Sequence, residues 1–197
     1  MGGNVRTNIY IDGFNLYFGA VRGTPYKWLN LAEMCRMLLP NHQINQIRYY
    51  TALVRPRPHD PQQLTRQQTY LRALRTLSNL SIHFGTFLSH EVPMPRADST
   101  TSPPELVRVV KTEEKGSDVN LATHLLKDGF EDDYECAVVV SNDSDLMEPI
   151  KVVRHSLGKS VGVLYIPTGG QARSCGSTPV LSSGFAKACW QPASFLQ

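Results

Sequence analysis

Four residues, Ala-Val-Val-Val at 137–140, form an unbroken apolar run that stops abruptly at Ser141-Asn-Asp-Ser-Asp145. A strand so short and so uniformly apolar suits burial on both faces, the position of a central strand in a parallel sheet. Parallel strands need crossover connections, and the helices that provide them cover the sheet on both sides. The remaining sequence fits that demand. Strands are expected at 8–11, 44–54, 82–89, 106–112 and 161–166, where β-branched and aromatic residues concentrate. Helices are expected at 15–20, 31–39, 61–78, 117–129 and 146–157. Asn30-Leu-Ala-Glu33 resembles a capping box, and Leu64, Leu71, Leu74 and Leu77 recur at helical spacing. In the last helix Asp145 or Ser144 is the expected cap, with Pro149 in the first turn. The Pro-rich stretch 91–104 reads as a polar loop, and 106–112 as a hairpin partner of 82–89. The fold class is therefore α/β, three layers with right-handed crossovers. Its 197 residues suit one domain, taken as 1–170, followed by a Gly/Ser/Thr-rich tail at 171–197 with a short helix near 184–189.

Several classes are set aside early. No apolar run approaches the roughly 18 residues of a membrane span, and the N-terminus lacks a signal-peptide core. The four cysteines, Cys35, Cys136, Cys175 and Cys189, form no C-x-x-C pair, which argues against zinc and fits a reducing cytoplasm. Charge is unevenly spread. Residues 112–150 carry eleven acidic side chains against two basic, whereas 55–111 carry eight basic against four acidic and 151–197 five basic against none. An acidic centre between basic flanks is the pattern of a carboxylate site between phosphate-binding walls.

In open parallel sheets, ligands sit beyond the carboxyl ends of the strands. Asp12 follows one expected strand, and Asp143 and Asp145 follow another. Asp118 opens a helix, and helix starts point to the same edge. Three separate segments thus deliver carboxylates to one crevice. Clustered carboxylates repel one another unless a cation neutralises them. Hard oxygen donors without a His or Cys cluster suit Mg²⁺ or Mn²⁺, which serve phosphoryl chemistry. Each Asp also has an ordinary task open to it: Asp12 as a turn residue, Asp118 at a helix dipole, Asp145 as a cap. Asp143 has no evident structural need.

The segments Tyr10-Ile-Asp12-Gly-Phe-Asn15-Leu-Tyr17, Glu114-Lys-Gly-Ser-Asp118-Val-Asn-Leu-Ala122 and Val139-Val-Ser141-Asn-Asp143-Ser-Asp145-Leu146 resemble, in order and spacing, the three signature segments of the NYN domain. That family belongs to the PIN-like nuclease superfamily, and the resemblance extends over residues 7–166. It implies a PIN-like, mainly parallel sheet of about five strands flanked by helices. It also implies metal-dependent hydrolysis of RNA, leaving a 5′-phosphate. Under it, Asp12, Asp118 and Asp143 are the principal Mg²⁺ or Mn²⁺ ligands, and Asp145 is a further ligand, direct or through water. Asn15 orients Asp12 or contacts a phosphate oxygen. Ser141 and Asn142 position substrate or solvent, and Lys115 is available to a phosphate. Asn142 and Leu146 stand where many members carry Gly and a bulkier residue, and the tail lacks the acid often found near the final helix.

Arg55, Arg57, Arg66, Arg72 and Arg75 are candidates to track a phosphate backbone, with Tyr49, Tyr50 or Tyr70 as stacking surface. RNA is the expected partner, with DNA as a second polymer and self-association left open. A catalytically silent binding module is one alternative. A phosphatase for small esters is another, although the first strand ends in Asp12-Gly13-Phe14 rather than Asp-x-Asp. Replacing Asp12 or Asp143 by Asn is expected to abolish cleavage and leave the fold intact.

Overall fold

The computed structural model describes residues 5–56, 58–166 and 189–192. In chain order the strands are β1 (Val5–Asp12), β2 (His42–Thr51), β3 (Leu80–Phe84), β4 (Thr86–Pro95), β5 (Leu106–Lys115), β6 (Cys136–Val140), β7 (Ser160–Tyr165) and β8 (Cys189–Pro192). The main sheet runs β3-β2-β1-β6-β7-β8. Its first five strands are parallel and β8 is antiparallel on the edge. The α-helices are α1 (Gly13–Leu16), α2 (Leu31–Leu38), α3 (Gln63–Leu74), α4 (Ser117–Phe130) and α5 (Met147–Lys151). α1 continues as a π-turn, Tyr17–Val21; α5 follows a 3₁₀ turn, Ser144–Leu146, and runs into a second π-turn, Val152–Ser156.

The pleat of β1 explains the three layers. Ile9 and Ile11 point to one face, where Leu16, Leu31, Met34, Leu71 and Leu74 from α1, α2 and α3 bury them. Tyr10 points to the other, with Leu121 and Leu125 of α4 and Ile150 of α5. β6 is buried along its whole length, as its composition requires. Sheet building starts at β1, proceeds through β2 to β3, then reverses to β6 and β7 on the other side. The switch point therefore lies between β1 and β6, whose last paired residues are Ile11 and Val140.

Several expectations are corrected. The stretch 82–89 is two strands, not one: Gly85 breaks it, sending 80–84 into the main sheet and Thr86 onward into a hairpin with β5. The expected loop at 91–104 begins as strand, since β4 continues through Pro93 to Pro95, and is irregular only after it. Proline is tolerated because β4 is the edge of a two-stranded ribbon, where an N–H can be lost from the outer side. The cap of the 3₁₀ turn is Asp143, not Asp145 or Ser144. Asn30 caps α2 as expected, accepting from the Glu33 N–H at 3.2 Å. The short helix expected near 184–189 falls mostly outside the described residues, and Cys189 begins a strand.

Candidate active site

Asp12 ends β1 and caps α1. One carboxylate oxygen, Oδ1, accepts from the N–H groups of Phe14 and Asn15, both at 3.0 Å. The other, Oδ2, accepts from Ser141 Oγ at 3.2 Å and from the Asn15 side-chain amide. Four donors thus fix a carboxylate that is only 5% exposed. Close approach is built in at Gly13, where a Cβ would lie 2.6 Å from the Tyr49 ring and 2.7 Å from the Tyr50 carbonyl oxygen.

The loop after β6 is tied to the same point. Ser141 Oγ also accepts from the Asp143 N–H at 3.1 Å, and Asn15 Oδ1 accepts from the Asn142 N–H at 3.3 Å. Asp143 Oδ1 accepts from the Asp145 N–H at 2.9 Å, so Asp143 does have a structural task. Asp143 is half-buried and Asp145 exposed. The Asn142 amide pairs with both backbone groups of Ile166, at 2.7 and 2.8 Å, stapling the loop to the end of β7.

Asp118 arrives in the first turn of α4, half-buried. Its carboxyl is pushed up to about 6, first by burial and then by the charges of Asp12, Asp143, Glu114 and Asp145. Those four acids add their charges to the effect of burial on Asp118. Glu114 is the member that sequence reasoning passed over, although it opens the second signature segment. Its Oε1 accepts from Ser117 N at 3.2 Å and Ser117 Oγ at 2.8 Å, fixing the start of α4. Gly116 makes the preceding turn at φ 98°.

The basic and aromatic candidates fare differently. Lys115 alternates with Glu114 along β5 and so points to the opposite face of the hairpin, where it pairs with Glu113 at 3.4 Å. Arg55 lies outside the carboxylate cluster and holds the hairpin, donating to Ser89 Oγ at 3.1 Å and to the Phe87 carbonyl at 3.3 Å. Arg57 lies outside the described residues. Arg66 pairs with Asp60, and Arg72 and Arg75 line a separate hollow with Leu53 and Phe84. Tyr49 and Tyr50 are core residues, and Tyr70 donates to the Leu29 carbonyl at 2.8 Å, so none is a free stacking surface.

The donor set fits Mg²⁺ or Mn²⁺ in kind: hard carboxylate oxygens whose mutual repulsion raises Asp118, with the described ion pairs all formed by other residues. Among the described residues, no three acidic, His or Cys side chains stand around a single point as they are.

A five-stranded parallel sheet flanked by helices, with acids at its carboxyl edge, is the nuclease-like architecture of the PIN-like class. The chain belongs to the NYN domain family, whose family model matches residues 6–179. It is 32% identical over 221 aligned residues to 6-hydroxy-3-succinoylpyridine 3-monooxygenase HspA of Pseudomonas putida, covering 95% of this chain and 70% of that protein. A crystal structure of a protein of unknown function from Vibrio parahaemolyticus shares the fold, with a TM-score of 0.50 and 13% identity over 85% of this chain and 87% of that one. Among the described residues no helix is long and apolar enough to cross a membrane.

Proposed function

We propose that the chain is a metal-dependent ribonuclease that hydrolyses phosphodiester bonds where β1, β6 and α4 meet. The observation that carries this reading is the junction of β1 and β6, where Asp12, held by four donors, is tied through Ser141 to the loop carrying Asp143, and where burial and then the charges of Asp12, Asp143, Glu114 and Asp145 raise Asp118. A site built only to bind a phosphate chain gains nothing from that repulsion. Asp12, Asp118 and Asp143 are the residues to hold Mg²⁺ or Mn²⁺, with Asp145 bound directly or through water. The ion supplies charge neutralisation for the phosphate, an activated water and stabilisation of the departing oxygen. Asp12 is immobilised by its four donors and sets the frame for the other ligands. Asp143 caps the turn after β6 through Oδ1, which holds its carboxylate beside that of Asp12 at the sheet edge. In the net reaction water adds to phosphorus, the P–O3′ bond breaks, and a 5′-phosphate and a 3′-hydroxyl result. The preference for RNA over DNA rests on family membership.

A second reading follows from the Pseudomonas relative, whose name assigns it oxygen insertion into a hydroxypyridine. A monooxygenase places one oxygen atom of O₂ in its product and the other in water, and consumes a two-electron donor.

One comparison separates the two. Labelled RNA, single-stranded DNA and a small phosphate ester are incubated with Mg²⁺, Mn²⁺ or chelator, and O₂ uptake is followed with 6-hydroxy-3-succinoylpyridine and a two-electron donor. The nuclease reading predicts metal-dependent RNA products and no substrate-dependent O₂ uptake. Uptake with a hydroxylated product, and intact RNA, would overturn it.

A further inference from the structure

A line of aromatic rings leaves the acidic site in one direction. Phe14, whose N–H caps Asp12, has its ring 6.3 Å from Phe18 at an interplanar angle of 20° and 5.6 Å from Phe87 at 66°. Tyr17 meets Phe18 edge-on at 5.2 Å. Phe14 and Phe87 are half-buried, whereas Tyr17 is 38% and Phe18 53% exposed. A soluble surface gains nothing from a large exposed ring next to another, so such a patch marks a contact site.

The charges around this line specify the occupant. The Arg22 guanidinium carbon stands 5.5 Å from the centre of the Phe18 ring. Arg55 binds the backbone of Phe87 and the hydroxyl of Ser89 from the other side. Phe87 and Glu114 are direct partners across the hairpin, so they share one face of it. Glu114 accepts from Ser117, the residue before Asp118, and the Phe87 ring meets Phe14, whose N–H caps Asp12, so that face adjoins the acidic site. The base of the hairpin and α1 thus meet beside the site through Phe87 and Phe14, with Arg55 bonded to the hairpin and Arg22 over the Phe18 ring. Exposed rings alternating with guanidinium groups are the chemistry that holds an unpaired base and its phosphate. A paired base keeps both faces stacked inside its helix and cannot offer one to Phe18.

We propose that Phe18, backed by Phe14 and Tyr17 and flanked by Arg22, is the stacking platform for a base of single-stranded nucleic acid entering the site. The platform selects unpaired strands over duplex. This rests on the nuclease reading for its placement, but its test is binding without turnover.

The test uses a fluorescein-labelled single-stranded RNA of about 12 nucleotides, and its annealed duplex, titrated by anisotropy in chelator. The wild type is expected to favour the single strand. Phe18→Ala is expected to weaken single-strand binding about tenfold and leave duplex binding unchanged, while Phe18→Trp retains affinity. Arg22→Ala is expected to weaken binding and reduce the salt slope by about 0.7, the value for one phosphate on a single strand. Equal single-strand binding by Phe18→Ala and the wild type would overturn the platform, as would equal affinity for duplex or loss of affinity in Phe18→Trp. Wild type that binds neither strand, but binds 6-hydroxy-3-succinoylpyridine through Phe18, would overturn the class of ligand. Single-strand binding that depends on Phe18, without cleavage in Mg²⁺ or Mn²⁺, would keep the platform and sink only the hydrolytic reading.

Discussion

Asp12 and Asp143 are chemically alike but stand in different positions. Asp12 is buried and accepts four hydrogen bonds, so an Asn there must turn an NH₂ group toward donors. A buried clash of that kind costs about 1–3 kcal/mol. Asp143 is half-buried with one oxygen in a cap, which an Asn amide oxygen can still accept. We therefore expect Asp12→Asn to lower the unfolding free energy by about 1–3 kcal/mol, measured by urea denaturation, and Asp143→Asn to change it by less than about 1 kcal/mol. From the sequence these two substitutions look equally harmless to the fold, because the burial of Asp12 and its bond to Ser141, 129 residues away, arise only in the folded chain. Asp118 behaves in the opposite way. Its folded pKa of about 6 exceeds the ordinary 3.8, so between those values the folded state holds a proton the unfolded chain does not. This term favours folding increasingly as pH falls through 6 toward 4 and is unfavourable above it. Without metal, Asp118→Asn should stabilise the protein at pH 7 by on the order of 1 kcal/mol, solvent screening having reduced the full repulsion. A loss of stability there would contradict the repulsive account of the site.

At the scale of elements, the β4–β5 hairpin is where sequence and structure part most. Strand-forming residues fill 80–89 on both sides of Gly85, and that single Gly divides two strands that join different sheets. A single Gly within such a pattern does not reveal where its flanks will pair. Its reason is tertiary: a Cβ at 85 would lie 2.7 Å from the Lys115 carbonyl oxygen and 2.9 Å from Ser117 Oγ, and would collide with the Glu114 carboxylate. Gly85→Ala should therefore push the hairpin base away from the start of α4. We expect it to lower kcat by about tenfold or more, as a displacement near 1 Å does at other sites, while circular dichroism retains the native helix content. Unchanged turnover would show that the hairpin base does not shape the site. By contrast, the central strand, the α2 cap and the acids at the carboxyl edge were legible, because each depends on local pattern or on a rule of topology. Glu114 and the rings of Phe14 and Phe87 were not, because their roles arise only when the hairpin folds over α1.

At the scale of the molecule, the face of the sheet covered by α4 carries a polar network beside its apolar core. Arg48 makes two bonds to the buried Asp128 carboxylate, at 2.7 and 2.9 Å, and Tyr10 donates to the same group at 2.8 Å. Nearby, His83 of β3 and His124 of α4 meet with ring centres 4.3 Å apart at a tilt of 48°, and His83 stacks on Tyr50. Burial is the largest force holding His83 down to about 4, followed by His124 and Arg48, with Asp128 opposing; burial also lowers His124. From 6.5 down to about 4 the unfolded chain takes up protons that the folded His83 refuses, so this term erodes stability as pH falls. It opposes the Asp118 term over the same range. Metal-free Asp118→Asn should therefore lose stability on acidification from pH 6.5 to 4.5 more steeply than the wild type, and His83→Gln less steeply, followed by thermal melting. Parallel pH profiles for the three proteins would contradict both assignments.

The central claim, that the acids at the β1–β6 switch point carry metal-dependent cleavage, is tested most directly by one assay. Wild type and Asp143→Asn, each confirmed as folded, are incubated with 5′-labelled single-stranded RNA in Mn²⁺ and in chelator. The account predicts products bearing 5′-phosphates only for the wild type with Mn²⁺, and none for Asp143→Asn under either condition. Cleavage that persists in chelator, or full activity of Asp143→Asn in Mn²⁺, would contradict it.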